Sequence, residues 1–535
     1  MDMTPMTVQG ESPRSCKKSS HQVFRRSLLA LSIAATFNTA SAELADDLTQ
    51  ATPKTLQTFK DTAGAQFYGF DLTPLPDNHF ALVWAEHYEP QQADAGEPAP
   101  ASTADRIVLQ RYDGQGDKVG DERVIAVLEN GRFPWQPSVS ADLDGNMVVA
   151  WGESAQGASI TGRVNKYCDS TELDADVEVK ARLISQSGQP SDVIQPGLAA
   201  SAQPCAIDTA MDEDGDFALL WALKEDNNQF SGRTNLQIQT FNALGQNQTS
   251  PVSIINHTLL TGDLAFYANN ALIVAYVVIA DDGSSSRVMG QRYDLQGQVV
   301  GDAFHLANGI AASDVLLDSE VRPTLAVNPN DRERFIASWV VDSDPSVERI
   351  SLGTAPQIKA QRWLADASPS MESVTVLSDV YIVSGAVSTP SLSMDSDGHF
   401  ISVWSMAGMA GTQHDSLPQI LASGFSGENE PMSEAIPLKQ GAEYLYVPYN
   451  EFQSVQVAMN DQAIMLAWLD DIDINKDTSK TLNAIFVPGL VAVHPDPATD
   501  PQAATSGGSL SWLFGGFVAV LGLRRGWSRR LGARH

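Results

Sequence analysis

The sequence predicts an all-β fold built from about seven copies of one four-stranded unit. An apolar run that ends in an aromatic residue recurs along the chain, with these aromatic anchors at Trp84, Trp151, Trp221, Tyr276, Trp339, Trp404 and Trp468. Their spacings are 67, 70, 55, 63, 65 and 64 residues, and a near-constant period of this size indicates a repeat architecture. A turn rich in Asp, Asn and Gly precedes the runs, most clearly at residues 142–145.

Each copy contains four strand-like runs. Strand one alternates in polarity, as at residues 137–141, and strand two is nearly all apolar, as at 147–151. Strand three carries a Gln-Arg-aromatic motif at 110–112, 291–293 and 361–363, and a turn containing Gly leads to strand four. Four antiparallel strands in each of seven units predict a β-propeller, whose radial closure protects its edges. A row of β-sandwich domains would need roughly 100 residues per unit.

The predicted propeller spans residues 63–493 and follows an N-terminal segment at 43–62. Its blades are expected at about 63–132, 133–202, 203–259, 260–319, 320–387, 388–448 and 449–493. Two stretches compete for the fourth strand of the last blade: residues 490–493, after a Pro-Gly turn, or residues 55–59 from the N-terminal segment. Six or eight blades also remain compatible with the repeats.

Residues 1–42 have the organisation of a cleaved secretory signal peptide. Basic residues at 17–18 and 25–26 precede a short apolar run at 28–37, and the small residues 40–42 form the cleavage site. The alternative, a permanent anchor helix, needs a longer apolar run. We therefore expect processing by signal peptidase and export.

The chain is strongly acidic, with a formal net charge of −31. Residues 1–42 carry five Lys/Arg and two Asp/Glu, and residues 501–535 carry five Arg, so the chain without them has a charge of −39. Such a surface excludes nucleic acid and anionic lipid as partners. Solubility explains the charge, and cation binding is the alternative.

Three cysteines occur, and Cys16 leaves with the signal peptide. Cys168 and Cys205 fall on the same end of neighbouring predicted blades. Because export permits oxidation, we predict a disulfide between these two residues; two buried free thiols are the alternative.

The predicted 2–3 loops and 4–1 connections share one face and vary greatly in length, whereas the 1–2 and 3–4 turns on the other face are short. Variable loops on a rigid scaffold commonly carry function, so we expect a ligand on the first face. Aromatic residues in the 4–1 connections are candidates for stacking on sugar rings: Trp135, Tyr381, Tyr444, Tyr446 and Tyr449. Alternatively, these rings fill the gaps between blades.

Motifs for zinc proteases, serine hydrolases and phosphate loops do not occur, and no catalytic residue is predicted. One stretch is a candidate Ca²⁺ loop because oxygen-bearing residues occupy every second position: Asp471, Asp473, Asn475 and Asp477. It lacks the glycine and the closing glutamate of an EF-hand loop, so a solvated loop is the alternative. The acidic stretch 212–216 is interpreted as a hairpin turn. No cofactor is certain from the sequence.

The C-terminal end has three parts after a stiff linker at 494–505. Ser506, Gly507, Gly508 and Ser509 precede an apolar run at 510–523, and arginines follow from Arg524 onward. This tail, residues 506–535, resembles the GlyGly-CTERM sorting signal of Gram-negative bacteria. The resemblance implies transient anchoring of 510–523 in the inner membrane, cleavage near Gly507 and Gly508 by a rhombosortase-like protease, and delivery to the cell surface or beyond. A permanent C-terminal anchor is the alternative.

The blade repeats also resemble those of bacterial surface proteins, which implies a fold and no activity. Three functions are compatible with the sequence: a binding module for glycans or a surface protein, a polysaccharide hydrolase or lyase, and a structural surface component. Asp, Glu, Tyr and Arg clustered at the channel mouth would favour the enzyme. The recognisable strand-one residues are small and mild, which favours binding: Ser138, Ser140, Thr324, Ala326, Ser391 and Ser393.

Overall fold

The structure is a computed structural model, and all residues it describes lie within one compact unit, Met1–Val491. The described residues are 44, 46–59, 67–88, 104–129, 131–154, 177–198, 204–224, 233–259, 262–267, 271–279, 286–307, 323–342, 356–377, 389–406, 419–432, 435–440, 455–473 and 477–490. Residues 46–50 are helical, and most of the remaining described residues lie in strands.

The strands follow the predicted repeat. In chain order they are β1 (Lys54–Phe59), β2 (Phe67–Leu75), β3 (His79–Tyr88), β4 (Ala104–Asp113), β5 (Lys118–Leu128), β6 (Phe133–Ala141), β7 (Met147–Ser154), β8 (Val177–Ile184), β9 (Pro204–Met211), β10 (Phe217–Lys224), β11 (Arg233–Phe241), β12 (Val252–Leu259), β13 (Asp263–Tyr267), β14 (Ala271–Ile279), β15 (Ser286–Tyr293), β16 (Phe304–His305), β17 (Thr324–Val327), β18 (Arg334–Asp342), β19 (Pro356–Leu364), β20 (Val374–Leu377), β21 (Ser391–Met394), β22 (Phe400–Met406), β23 (Gln419–Phe425), β24 (Ile436–Gln440), β25 (Val455–Met459), β26 (Ala463–Asp473) and β27 (Asp477–Pro488).

These strands form the seven antiparallel blades of a β-propeller, which confirms the predicted fold class. Blades 1 to 6 consist, in order, of β2–β5, β6–β8, β9–β12, β13–β16, β17–β20 and β21–β24. In blade 2 the fourth strand is reduced to two bridges, Ala181 to Ile194 and Ile184 to Pro190. The first strand of each blade contacts the first strand of the next, and β25 of blade 7 contacts β2, so the ring closes at seven blades.

The ring is closed by the N-terminal strand. Blade 7 has the order β25–β26–β27–β1, and β1 pairs antiparallel with β27 from Lys54 opposite Ala484 to Phe59 opposite Lys480. The alternative of residues 490–493 as the fourth strand is therefore wrong, because β1 already occupies the free edge of β27. The segment expected to precede the propeller supplies part of its last blade.

The aromatic anchors form the interior between blades. All seven are at most 2% exposed: Trp84, Trp151, Trp221, Tyr276, Trp339, Trp404 and Trp468. In blades 1 and 2 the buried indole N–H has a carboxylate partner two residues further on, since Trp84 donates to Glu86 and Trp151 to Glu153, both at 2.8 Å. Burial of these large side chains is the main apolar contribution to each blade.

The glutamine of the Gln-Arg-aromatic motif holds the outer part of its own blade. In blade 1 the Gln110 side-chain amide donates to the carbonyls of Arg111 and Gly120, at 2.8 and 3.3 Å. In blade 4 the Gln291 amide makes the equivalent bonds to Arg292 and Gly301. These bonds fix the 3–4 turn against strand three.

The arginine of the same motif bonds the next blade. Each such side chain donates to backbone carbonyls near the following blade's turns: Arg111 to Ser185 and Gln186, Arg292 to Ala365 at 2.7 Å, and Arg362 to Gly398 and Ser426 at 2.7 and 2.9 Å. Strand β27 of blade 7 has no arginine. There Lys54 of the closing strand donates to the Gln115 carbonyl of blade 1 at 2.5 Å.

The acidic stretch 212–216 is the hairpin turn between β9 and β10. Asp212 Oδ1 accepts the backbone N–H groups of Asp214 and Asp216, at 3.0 and 2.9 Å. Gly215 has a φ of +87°, a conformation that glycine adopts without strain. The interpretation as a turn is confirmed for this stretch.

No helix among the described residues is long and apolar enough to cross a membrane. The predicted signal peptide at 1–42, the linker at 494–505, and the tail at 506–535 with its apolar run at 510–523 lie outside the described residues.

Removal of one inter-blade arginine should destabilise the ring. Arg362 is 5% exposed, and burial lowers its pKa to about 10, so it remains charged at pH 7. Substitution Arg362→Met keeps the apolar stem but leaves the Gly398 and Ser426 carbonyls without this donor. We expect a loss of about 2–4 kcal/mol, measured as a lower urea midpoint.

Arg334→Met is the matched control. Its guanidinium is 57% exposed and lies 3.1 Å from Asp331, an exposed pair that contributes at most about 1 kcal/mol. Equal urea midpoints for the two variants would contradict the role of Arg362.

Candidate functional site

A ring of polar residues surrounds the central channel. It has one member from the first strand of each blade, and we call these seven residues the channel ring: Asp71, Ser138, Asp208, Asp263, Thr324, Ser391 and Gln456. Each pairs in the ladder with the residue immediately before its blade's aromatic anchor. Several ring members lie at the start of strand one, which is the end of the blade nearest the 4–1 connections and 2–3 loops.

Two ring carboxylates bridge neighbouring blades. In each, one oxygen accepts the next residue's N–H and the other accepts an N–H from the following blade. The four bonds are Leu72 N to Asp71 Oδ1 (2.9 Å), Val139 N to Asp71 Oδ2 (2.8 Å), Leu264 N to Asp263 Oδ1 (2.9 Å) and Leu325 N to Asp263 Oδ2 (2.7 Å). In blade 6 the Ser391 hydroxyl accepts Val457 N–H at 3.0 Å. The ring therefore has a structural role.

Asp71 and Asp208 share one hydroxyl between them. Ser138 Oγ lies 3.1 Å from Asp71 Oδ2 and 3.3 Å from Asp208 Oδ1, and its single proton serves only one of these carboxylates. Burial raises the pKa of Asp71 to about 7, and the negative charge of Asp208 contributes, against the lowering effect of the N–H bonds. Asp71 thus exchanges a proton near neutral pH.

The ring opens into a cavity of about 160 Å³. The polar part of its lining includes Asp71, Asp208, Asp263, Thr324 and Gln456. The leucine and valine side chains that alternate with them pack in the interior between blades, as Leu72 and Val139 do. Thr324 is 6% exposed, and the residues that the structure describes offer its hydroxyl no hydrogen-bond partner. Buried polar groups are normally bonded, so a bound hydroxyl group would complete this site.

The three aspartates are the charged side chains among the described residues that line the cavity. Among the described residues that line it there is no Lys, Arg, Glu or Tyr. The described part of the chain also contains no group of three His, Cys, Asp or Glu residues placed to hold a metal ion. The lining offers carboxylate, amide and hydroxyl oxygens as hydrogen-bond acceptors for a ligand.

The structure buries Trp135 between strands. The side chain is fully buried, and its ring packs on Gly152, where a Cβ atom would lie 1.9 Å from it. This burial disagrees with the expected sugar contact and matches the alternative, in which the ring fills the gap between blades. Tyr381, Tyr444, Tyr446 and Tyr449 lie outside the described residues.

The predicted Ca²⁺ loop is described only in part. Asp471 and Asp473 end β26, and Asp477 begins β27 opposite Asp473, while Asn475 and all four side chains lie outside the described residues. The calcium site stays a prediction. So does the disulfide, because Cys168 and the side chain of Cys205 lie outside the described residues, although the backbone of Cys205 belongs to β9.

Sequence reasoning missed the carboxylates of the channel ring. Ser138, Thr324 and Ser391 were recognised as mild strand-one residues, but the three aspartates were not. The pairing of strands one and two identifies these positions. In all seven blades, the strand-one residue opposite the position before the aromatic anchor is polar.

Comparisons with known proteins leave the function open. No protein-family model matches the sequence, and no curated protein matches it. Similar solved structures include a polysaccharide lyase (11% identity, TM-score 0.41, 81% of this chain and 99% of that one) and an α-L-arabinofuranosidase from Fusarium graminearum (11%, 0.39, 80% and 94%). A protein of unknown function from Dyadobacter fermentans is also similar (11%, 0.41, 70% and 98%). With TM-scores below 0.5, these similarities do not bear on function.

The raised pKa of Asp71 predicts a pH-dependent stability. The folded state binds this proton more tightly than the unfolded state, whose pKa is near 3.8. The stabilisation is therefore complete below about pH 4 and is lost as the pH rises to about 7. Asp71→Asn cannot titrate, so the stability of the wild type relative to this variant should fall by about 3–4 kcal/mol between pH 4 and 8.

Urea midpoints at pH 4, 5, 6, 7 and 8 would measure this change. Asp208→Asn is the second variant, because removal of its charge lowers the pKa of Asp71 and moves the upper end of the window to lower pH. A wild-type to Asp71→Asn difference that is constant with pH would contradict the assignment.

Proposed function

We propose that this protein is an exported, surface-located propeller that binds neutral, hydroxyl-rich glycans at the channel ring. The proposal rests on one observation: a cavity with three carboxylates, an amide and hydroxyl groups, and no Lys or Arg among its described lining residues. Carboxylate and amide oxygens accept hydrogen bonds from sugar hydroxyls.

The electrostatics select against acidic glycans. Uronate, sulfate and sialate groups need a cation or a cluster of donors, and the described lining supplies neither. The chain as a whole carries a charge of −31, which repels a polyanion at low ionic strength. A neutral sugar meets no such repulsion and can satisfy the free hydroxyl of Thr324.

The size of the cavity suits one sugar unit or one chain end. Its volume of about 160 Å³ is smaller than the ~300–1,000 Å³ of typical ligand pockets. The rest of a glycan would lie across the face that carries the 2–3 loops.

A polysaccharide hydrolase is the second candidate. Its supporting observation is the pair Asp71 and Asp208 in one cavity, with a pKa of about 7 for Asp71. A proton donor of raised pKa near a second carboxylate is the arrangement that glycoside hydrolysis uses. Against it, both oxygens of Asp71 already accept backbone N–H groups, which restricts their approach to a glycosidic oxygen.

The cellular location of the protein is part of the same proposal. The signal peptide at 1–42 and the resemblance of 506–535 to a GlyGly-CTERM tail support export, handling by a rhombosortase-like protease, and delivery to the surface. A surface glycan is then within reach of the channel ring.

A panel of neutral and acidic polysaccharides would test this function. The purified protein should be retained on neutral polysaccharides without releasing new reducing ends. Thr324→Val removes the unpartnered hydroxyl at nearly constant volume and should weaken glycan binding about 10-fold, since one hydrogen bond contributes ~1 kcal/mol or more. Its matched control is Thr73→Val, also buried, in β2 and outside the described lining.

Three results would contradict the binding proposal. New reducing ends that disappear in Asp208→Asn would establish the hydrolase. Retention on acidic polysaccharides alone would refute the neutral-glycan specificity. Equal glycan affinities of Thr324→Val and the wild type would show that the channel ring is not the binding site.

A further inference from the structure

The opposite end of the channel has a second, open pocket of about 230 Å³. It lies beside the short 1–2 turns, at the ends of the first strands of blades 2 to 5, and we call it the turn-side pocket. Its lining includes Ser140, Met211, Phe266, Val327, Pro329 and Arg332. It shares no described lining residue with the cavity at the channel ring.

Arg332 differs from four other arginines of the propeller. Arg111, Arg292 and Arg362 bond the next blade, and Arg334 pairs with Asp331. The Nε–H of Arg332 is buried without a partner, and no bond to its guanidinium is seen in the described part of the chain. In a chain with a charge of −31, an unpaired arginine at a cavity is unexpected.

A second unpartnered polar group lines the same cavity. The Ser140 hydroxyl is buried, and no hydrogen-bond partner for it is seen among the described residues. A buried donor without an acceptor costs about 1–3 kcal/mol, so each of these two groups would gain from an acceptor that a ligand brings into the pocket. The remaining lining is largely apolar, with Met211, Phe266 and Val327.

We propose that the turn-side pocket binds the carboxylate of a small organic acid with a short apolar chain. A guanidinium binds a carboxylate with two parallel N–H···O bonds, and no bond within the described part of the chain occupies the guanidinium of Arg332. The Ser140 hydroxyl is a second donor in the same pocket, and Met211 and Phe266 supply apolar lining for the chain of the acid. A single arginine balances one negative charge, so a monocarboxylate fits better than a phosphate dianion.

This site is independent of the proposed glycan site. The two cavities lie at opposite ends of the first strands and have opposite charge preferences. Thr324→Val should therefore leave carboxylate binding unchanged within twofold, which separates failure of one proposal from failure of the other.

Isothermal titration of the purified protein with butyrate and hexanoate tests the proposal. The neutral amide butyramide and inorganic phosphate are the comparison ligands. We expect saturable binding of the two acids, at least 10-fold weaker binding of butyramide and phosphate, and tighter binding of hexanoate than of butyrate because more apolar surface is buried. Arg332→Met should weaken hexanoate binding at least 10-fold and Ser140→Ala about threefold to tenfold.

Arg334→Met is the control, because it removes an arginine from the adjacent turn position and should stay within twofold of the wild type. If Arg332→Met does not fold, Arg332→Lys is the second variant. It keeps the positive charge but lacks the two parallel N–H donors of the guanidinium, so hexanoate binding should weaken severalfold. The proposal is overturned if neither acid gives saturable heat at tens of millimolar, if hexanoate binds Arg332→Met as tightly as the wild type, or if phosphate binds more tightly than butyrate.

Discussion

The inner edge of each blade sets the constraint on which this fold depends. Each blade is an open sheet, so its first strand presents backbone N–H groups to the channel, and buried N–H groups must be bonded. A side chain from the preceding blade meets this need at Val139, Leu325 and Val457. The same side chains form the polar wall of the channel. The atoms that hold neighbouring blades together are therefore also the atoms that a ligand in the channel would meet.

A second layer of contacts lies further out. Arginines of strand three, and Lys54 in the closing blade, bond the backbone carbonyls of the following blade. Each contact in these two layers joins one side chain to a backbone group of the next blade. Only a few positions in each repeat must therefore keep a particular residue type. The loops between those positions can vary in length, which explains how spacings of 55 to 70 residues fit one ring.

The sequence predicted the repeat, the strand types and the blade number, because strand two and its aromatic anchor recur at every blade. It left the closing strand undecided, since pairing of β1 with β27 depends on ring geometry and not on local pattern. It missed Asp71, Asp208 and Asp263 because a polar residue in an alternating strand also suits a solvent-facing position. The sequence left open whether Trp135 contacts a ligand or fills the gap between blades, because only the packed blade shows that its ring takes the space beside Gly152.

Closure by β1 has a consequence for the order in which the molecule is completed. Thr55 bonds Asn483 across 428 positions, so the first strand to be synthesised waits for one of the last. Contacts this distant in sequence form slowly. An interrupted chain that lacks β27 would leave β1 unpaired and the ring open, with exposed strand edges that favour aggregation or proteolysis. Completion of the ring therefore reports that the chain has been made through β27.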